Sequence, residues 1–302
     1  MALRHILVIA PTIKAIGGDG YGGIERLVAE FVAGLHEEFE WRVTLIAPTG
    51  TKRPNPRRMQ TVNWLPAVNW LPEDIQVVES GMPAEDYREP NLLGVVGMFF
   101  LRGNEPDCAL DFSHSKPMRH FPDMPQISPI WHDPGIMQPA LPDHNIAALS
   151  HWQAARLRRF QGLSSRVLDS VVVNPLGVWP GATHSRDQVW PEQRERYLYI
   201  GKMHPTKGAL EAVRLCRANN LPLDVVGPVT AGDPPEYVEQ VQDECDGAIV
   251  SWFGEVPEFQ KNWLLDHAKA LIYPVSYPVG TGEAHSHKMV EAMFYGTPCV
   301  AL

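Results

Sequence analysis

The chain has 302 residues, of which 44% are hydrophobic and 20% are charged, and its formal net charge is −9. This length suffices for two domains with separate cores, the composition is that of a globular protein, and the acidic balance argues against general nucleic-acid binding. No apolar run is long enough to cross a bilayer, and the four cysteines show no CxxC spacing, so we expect a cytoplasmic protein with reduced thiols.

The chain begins with a predicted strand, a glycine-rich loop, a helix and a second strand. His5 to Ala10 is a continuous apolar run, as expected for a strand buried on both faces. Glycines dominate residues 17–23, and apolar residues then recur at helical spacing from Leu27 until a second strand at residues 42–47. Open α/β sheets bind ligands at the carboxyl ends of their strands, where this loop lies. A nicotinamide dinucleotide site is disfavoured because no acidic residue follows the second strand.

The middle of the chain predicts the rest of one sheet. Residues 51–90 are rich in proline and contain a basic patch, which is either a solvated loop or a site for an anionic acceptor. The predicted elements that follow are a helix at 91–101, strands at 108–112, 127–131, 145–149 and 171–173, and a basic helix at 153–160. These strands end in polar residues, which predicts a cleft at their carboxyl edge. His114 and His132 lie at that edge, as ligand-facing residues or as ordinary packing histidines.

A second α/β unit follows a segment without hydrophobic periodicity, residues 179–196, which we predict to be a linker. The predicted domains are therefore residues 1–178 and 197–302. The second has strands at 197–200, 223–226, 249–253 and 270–273, and helices at 209–218 and 259–268. Lys202 and Lys207 share the loop after its first strand, where two ammonium groups could neutralise a diphosphate. The alternative is two exposed loop lysines.

Residues 274–302 predict a loop, a helix that begins near Glu283, and a buried parallel strand at 299–302. On such a helix Glu283 and Glu291 would be separated by about 12 Å of rise. The positive end of the helix dipole between them favours an anion such as phosphate. An acid for a sugar hydroxyl, a cradle for a diphosphate and an acid for a ribose together fit a nucleotide-sugar. The alternative is a surface helix with two ordinary glutamates.

In this order the segments resemble the family-4 retaining glycosyltransferases. That family has the α/β arrangement called GT-B, with two facing Rossmann-like, doubly wound domains built on parallel sheets. The resemblance rests on four segments, namely residues 22–25 (GGIE), 130–133 (IWHD), 199–208 (YIGKMHPTKG) and 283–298. The last is the most specific, because its E-x7-E spacing comes with a helix, a glycine stop and a strand. The first domain would face the acceptor, and the second would bind the nucleotide-sugar.

The resemblance implies contacts to the donor diphosphate. Lys207 would contact the phosphates, and Lys202 would stand where the family usually has arginine. Lysine lacks the bidentate fork of arginine, so the contact would be weaker or differently angled. Gly22 and Gly23 would let the backbone approach the same phosphates.

The resemblance also implies contacts to the sugar and the nucleoside. His132 would lie beside the transferred sugar, Glu283 would hold its hydroxyls, and Glu291 would bind the ribose. Ala284 and His285 stand where the family usually has Phe-Gly. Their backbone amides would still meet phosphate, and the imidazole would add a charge or alter the choice of sugar.

Family-4 enzymes generally need no metal ion, and we expect neither metal nor cofactor here. His285 and His287 resemble a metal-binding pair, but side chains two apart on a helix point to different sides. The expected substrate is a nucleoside-diphosphate sugar, with a UDP-sugar favoured, and the acceptor is not specified. The chain stops earlier than the family pattern, so either the gene is shortened or another chain completes the second domain. A homo-oligomer is the remaining partner that we considered.

Three functions follow from these expectations. The first is transfer of a hexose to an acceptor hydroxyl with retention, in which cationic groups stabilise the charge that develops on the leaving diphosphate. The second is nucleotide-sugar binding without transfer, because the glutamate motif is altered and the chain ends early. The third is epimerisation of a nucleotide-sugar, a reaction that needs no acceptor.

Overall fold

A computed structural model describes residues 4–16, 23–51, 71, 75–81, 83, 89–131, 145–159, 167–171, 194–230, 232–276 and 286–301. These residues divide into two compact units, the first ending at residue 171 and the second beginning at residue 194. Almost all of the predicted linker lies outside the described residues, so the exact domain boundaries stay a prediction. Within the described ranges, no helix is long and apolar enough to span a membrane.

The first unit is built on a seven-stranded parallel sheet. Its strands are β1 (His5–Ile9), β2 (Arg42–Ala47), β3 (Gln76–Glu79), β4 (Cys108–Asp111), β5 (Gln126–Pro129), β6 (Asn145–Ala148) and β7 (Val167–Val171). They are arranged in the order β3-β2-β1-β4-β5-β6-β7. The order reverses between β1 and β4, and the carboxyl ends of these two strands therefore form the switch point at which open α/β sheets bind ligands.

Helices cover both faces of this first sheet. They are α1 (Gly23–Glu37), α2 (Leu92–Leu101) and α3 (His151–Arg159). Successive side chains of a strand point to opposite faces, and β1 shows the result. Ile6 and Val8 join the core on the side of α1, whereas Leu7 and Ile9 join the core on the side of α2. The continuous apolar run of β1 is thus buried on both faces, as predicted.

The second unit repeats this plan with five parallel strands. They are β8 (Tyr197–Ile200), β9 (Leu223–Val226), β10 (Val250–Gly254), β11 (Leu271–Tyr273) and β12 (Cys299–Ala301), in the order β10-β9-β8-β11-β12. The helices are α4 (Ala209–Ala218), α5 (Pro235–Asp243), α6 (Glu258–His267) and α7 (His287–Phe294). Tyr199 packs with α4 and α5 on one face, and Leu198 and Ile200 pack with α6 and α7 on the other. The switch point of this sheet lies between β8 and β11.

The predicted fold class, two doubly wound α/β domains with parallel sheets, is confirmed. Most predicted strands and helices are present to within a few residues, but β3 and α5 were not predicted. Strand β7 spans Val167–Val171, whereas the apolar run at 171–173 predicted a later position.

Two predictions at the end of the chain were wrong. Helix α7 begins at His287, not near Glu283, because Ser286 has an extended conformation (φ −104°, ψ 101°) and its side chain caps the first turn. Glu291 therefore lies on a helix that begins at His287, and Glu283 lies outside the described residues. Strand β12 pairs in parallel with β11 as predicted, but it is an edge strand of the described sheet, and Val300 is 43% exposed rather than buried.

Candidate functional site

The loop after β8, residues 201–208, lies at the switch point of the second sheet. Tyr199 is fully buried, and its hydroxyl oxygen lies 3.1 Å from the carbonyl oxygen of Lys202 and 3.1 Å from that of Lys207. One phenol therefore holds both ends of the loop. A Cβ at Gly201 would collide with this hydroxyl, so the loop requires glycine at that position. Both lysine side chains are half-buried.

The second half of this loop is a short 3-10 turn, Pro205–Lys207. Gly208 ends the turn with φ +74°, and a Cβ there would collide with the carbonyl oxygen of Pro274. The N–H of Ser276 donates to the carbonyl oxygen of Thr206 at 3.1 Å. Since residues 274–276 follow β11, these contacts join the loops after β8 and β11 across the switch point.

Helix α4 begins at Ala209, and only its N-cap residue, Gly208, separates it from Lys207. The positive end of its dipole therefore lies beside a cationic residue, an arrangement that favours anions. The N–H of Leu210 in the first turn already donates to the Tyr237 hydroxyl at 3.0 Å. This N–H is therefore already used within the protein. The positive charge available to an anion on this loop comes mainly from the ammonium groups of Lys202 and Lys207.

Glu291 lies on α7 and forms an ion pair with Lys261 of α6. The Nζ–Oε1 distance is 2.7 Å, and each side chain is only 13% exposed. An ion pair through one carboxylate oxygen restricts the orientation of the other oxygen. Sequence reasoning had singled out Glu291 and missed Lys261, because nothing in the helical periodicity distinguishes this lysine from a solvated one.

Five of the predicted site residues lie outside the described residues, namely Gly22, His132, Glu283, Ala284 and His285. Their assigned roles stay predictions. Gly23 is the first residue of α1, directly after the part of the glycine-rich loop that is not described. In the described part of the chain, no group of three or more metal-ligating side chains is close enough to hold a metal ion.

The switch point of the first sheet contains a cluster of buried charged residues. Glu89, Asp111 and Lys116 are at most 2% exposed, and His114 between them is 5% exposed. Of these, the sequence had marked only His114. Asp111 and Lys116 flank the end of a predicted strand, a signal that could have drawn attention to them, whereas Glu89 lies in a proline-rich segment that gave none.

Comparison with protein families finds a match in the second unit. Residues 182–302 match the family described as Glycosyl transferases group 1. This segment is less than half of the chain and contains Lys202, Lys207, Lys261 and Glu291. No curated protein sequence matches the chain.

Three solved structures resemble the whole chain. AviGT4, a glycosyltransferase involved in avilamycin A biosynthesis, is 21% identical with a TM-score of 0.64, over 99% of this chain and 78% of its own. The apo form of the lipopolysaccharide outer core galactosyltransferase WaaB is 13% identical with a TM-score of 0.59, over 99% and 80%. A putative UDP-N-acetylglucosamine 2-epimerase from Listeria monocytogenes is 13% identical with a TM-score of 0.58, over 100% and 80%. At these identities the likeness shows the fold, which is the α/β fold of GT-B glycosyltransferases with two parallel sheets.

Proposed function

We propose that this protein is a retaining glycosyltransferase of the family-4 type. It would transfer a hexose from a nucleoside-diphosphate sugar, with a UDP-sugar favoured, to an acceptor hydroxyl, without a metal ion or a bound cofactor. The observation that carries the proposal is the pair of half-buried lysines, Lys202 and Lys207, at the switch point of the unit that matches the glycosyltransferase family.

The lysines supply the electrostatic part of this reaction. As the bond between the sugar and the diphosphate breaks, negative charge develops on the leaving phosphate. Lys207 would stabilise this charge through its ammonium group, and the positive end of the α4 dipole, which begins two residues later, would add to the effect. Because the loop is held by Tyr199 and by the contact between Thr206 and Ser276, the charges need little reorganisation when the donor binds.

Glu291 would bind the ribose of the donor through its carboxylate. The ion pair with Lys261 holds one oxygen of this carboxylate and restricts the orientation of the other, which favours hydrogen bonds from a vicinal diol. Lys261 thereby joins the residues that would position the nucleoside. Two further roles are predicted from the sequence alone. His132 would lie beside the transferred sugar, and Glu283 would bind its hydroxyls.

Nucleotide release from a panel of UDP-, GDP- and ADP-hexoses tests the proposal. We expect wild-type protein to release UDP from at least one UDP-hexose, and Lys207→Ala to lower kcat/KM about 100-fold, as expected when one charge-stabilising donor is lost. Glu291→Ala should weaken UDP binding about tenfold, the loss of one charged hydrogen bond. Lys269→Ala is the matched control, because this lysine of the same unit lies near Tyr197 at the amino end of β8.

The products decide between the possible reactions. NMR of the glycoside should show the anomeric configuration of the donor, and excess chelator should leave the rate unchanged. Release of no nucleotide by the wild type with any donor and a broad acceptor panel, or undiminished release by Lys207→Ala, would refute the proposal. An epimerised nucleotide-sugar formed without an acceptor would identify an epimerase instead.

A further inference from the structure

The buried cluster at the switch point of the first unit takes no part in the contacts described so far. Glu89, Asp111 and Lys116 are 2%, 0% and 0% exposed. Charged side chains are almost never buried so completely unless they are paired and hydrogen-bonded. Their contacts therefore show what this cluster holds together.

Glu89 bonds to two different loops at once. Its Oε1 accepts a hydrogen bond from the N–H of Thr12 at 2.9 Å, and Thr12 lies in the loop after β1. Its Oε2 accepts from the N–H of His114 at 2.9 Å and from the N–H and hydroxyl of Ser115, both at 2.8 Å. These two residues follow β4. One carboxylate thus fixes the loops on the two sides of the switch point relative to each other.

Lys116 and Asp111 extend the same network to β5. The Nζ of Lys116 donates to the carbonyl oxygens of Asp111 and Pro129, each at 2.9 Å. The Asp111 carboxylate accepts from the N–H and the hydroxyl of Ser113 and from the N–H of Met118. The carboxyl ends of β4 and β5 are therefore joined through side chains as well as through the sheet.

This arrangement costs stability. Glu89 and Lys116 have φ values of +47° and +51°, a left-handed conformation that costs roughly 1–2 kcal/mol for each residue with a Cβ. Burial raises the pKa of Glu89 and lowers the pKa of Lys116 to about 8, so ionisation is also opposed. Well-packed apolar residues often replace buried charges without loss of stability, and strained backbone residues are concentrated at functional sites.

We propose that Glu89 is a positioning residue for the transfer reaction. Its carboxylate sets the loop after β1, which leads to the glycine-rich segment, against the turn that carries His114. This role rests on the proposed function. In this role Glu89 acts through the backbone of Thr12 and His114, at the edge of the first sheet where a ligand would bind, and not on the substrate itself.

The variant Glu89→Gln breaks one side of this connection. If the amide oxygen takes the position of Oε2, the three donors of His114 and Ser115 keep their acceptor. The amide NH2 then faces the N–H of Thr12, and that hydrogen bond is lost. We expect kcat for transfer to fall about tenfold or more, UDP affinity by calorimetry to stay within about threefold, and amide exchange to accelerate at Thr12 but not at Ser115.

Asp246→Asn is the matched control. The Asp246 carboxylate also accepts three backbone N–H groups, from residues 248–250, but it lies at the amino end of β10. We expect this variant to lower stability without changing kcat. If Glu89→Gln does not fold, Ser115→Ala removes one donor to Oε2 and should lower kcat in the same direction by a few fold.

The failure of this role can be distinguished from the failure of the proposed function. Wild-type protein that releases no nucleotide would overturn both. Wild-type activity together with an unchanged kcat in Glu89→Gln, while exchange at Thr12 accelerates, would overturn the positioning role alone. An equal loss of kcat in Asp246→Asn would also overturn it, because general destabilisation would then explain the effect.

Discussion

The two sheets have the same strand order around their switch points, but a fully buried charged network lies at the carboxyl ends in the first unit and the Arg196–Asp224 pair lies at the amino ends in the second. In the first unit, Glu89, Asp111 and Lys116 are buried at the carboxyl ends of β1 and β4. In the second unit, Arg196 pairs with the buried Asp224 at the amino ends of β8 and β9, at 2.6 Å. The carboxyl ends there are shaped by glycines and the Tyr199 hydroxyl, and the two lysines are half-buried.

This difference teaches that a buried charge has to be interpreted by its place in the sheet. Open α/β sheets bind ligands outside the carboxyl ends of their strands. A charged network at that edge orients loops that face ligand, as in the first unit. A charged contact at the amino edge satisfies backbone carbonyls and contributes to stability, since Arg196 also donates to Leu223, Ile249 and Ser251. Four predictions test the two edges.

The largest effect is expected from Gly208→Ala, at the ligand edge of the second unit. The substitution adds a Cβ that collides with the Pro274 carbonyl oxygen at φ +74°, and we expect a loss of about 3 kcal/mol in the free energy of unfolding. Gly247→Ala is the control, since φ is +73° there but nothing lies within 4 Å. It should cost only about 1 kcal/mol. Denaturant unfolding measures both losses. Equal losses in the two variants would contradict the predicted collision at Gly208.

A smaller effect is expected from Arg196→Met, at the amino edge. Asp224 would keep its burial without its partner, and we expect a loss of about 2 kcal/mol, less than for a fully buried pair because the Arg196 side chain is 35% exposed. Asp224→Asn in the same chain should restore part of the loss. Arg214→Met, from the exposed pair with Glu244, should cost less than about 0.5 kcal/mol.

The pH dependence of the Arg196→Met variant has a definite sign. Burial already raises the pKa of Asp224 while Arg196 lowers it, so removal of Arg196 raises that pKa further. A folded-state pKa above the unfolded value means that the folded chain binds the proton more readily, and stability rises as the pH falls. The loss of unfolding free energy in Arg196→Met, relative to wild type, should therefore become smaller towards acid pH. A loss that becomes larger would contradict the assignment of the pKa shift to Asp224.

The last prediction concerns the pH dependence that the ligand edge of the first unit gains from Lys116. Its pKa is about 8 in the folded chain against the ordinary value of 10.5. Between these pH values the unfolded chain binds more protons, so this residue contributes stability that increases as the pH rises. Relative to Lys116→Met, the wild type should gain up to about 3 kcal/mol in unfolding free energy over this range, since one pKa unit corresponds to about 1.4 kcal/mol.

Lys116→Arg is the control for this measurement, because arginine keeps its charge throughout the range. The difference in unfolding free energy between wild type and either variant should have the same slope with pH. If this difference in unfolding free energy did not change with pH, or fell as the pH rises, the pKa of Lys116 would not be lowered by burial.

Several elements and one predicted loop lie where the sequence placed them. Helix α4 and strand β9 lie where the periodicity placed them, and Lys202 and Lys207 share the loop at the switch point as expected. Strand β3 was missed because it is a short edge strand whose residues are half-buried or exposed, so it lacks the apolar run that marked its neighbours. The start of α7 was misplaced because the capping role of Ser286 was not recognised.

The sequence by itself determined the alternation of strands and helices and the places where polar residues follow strands. These features are local, since burial of a strand or a helix face imposes a period on neighbouring residues. Only the tertiary structure decided that Glu89 meets Thr12 and that Lys261 meets Glu291. The first contact joins residues 77 positions apart through a backbone N–H, and a backbone donor is the same for every residue except proline, so it leaves no pattern in the sequence.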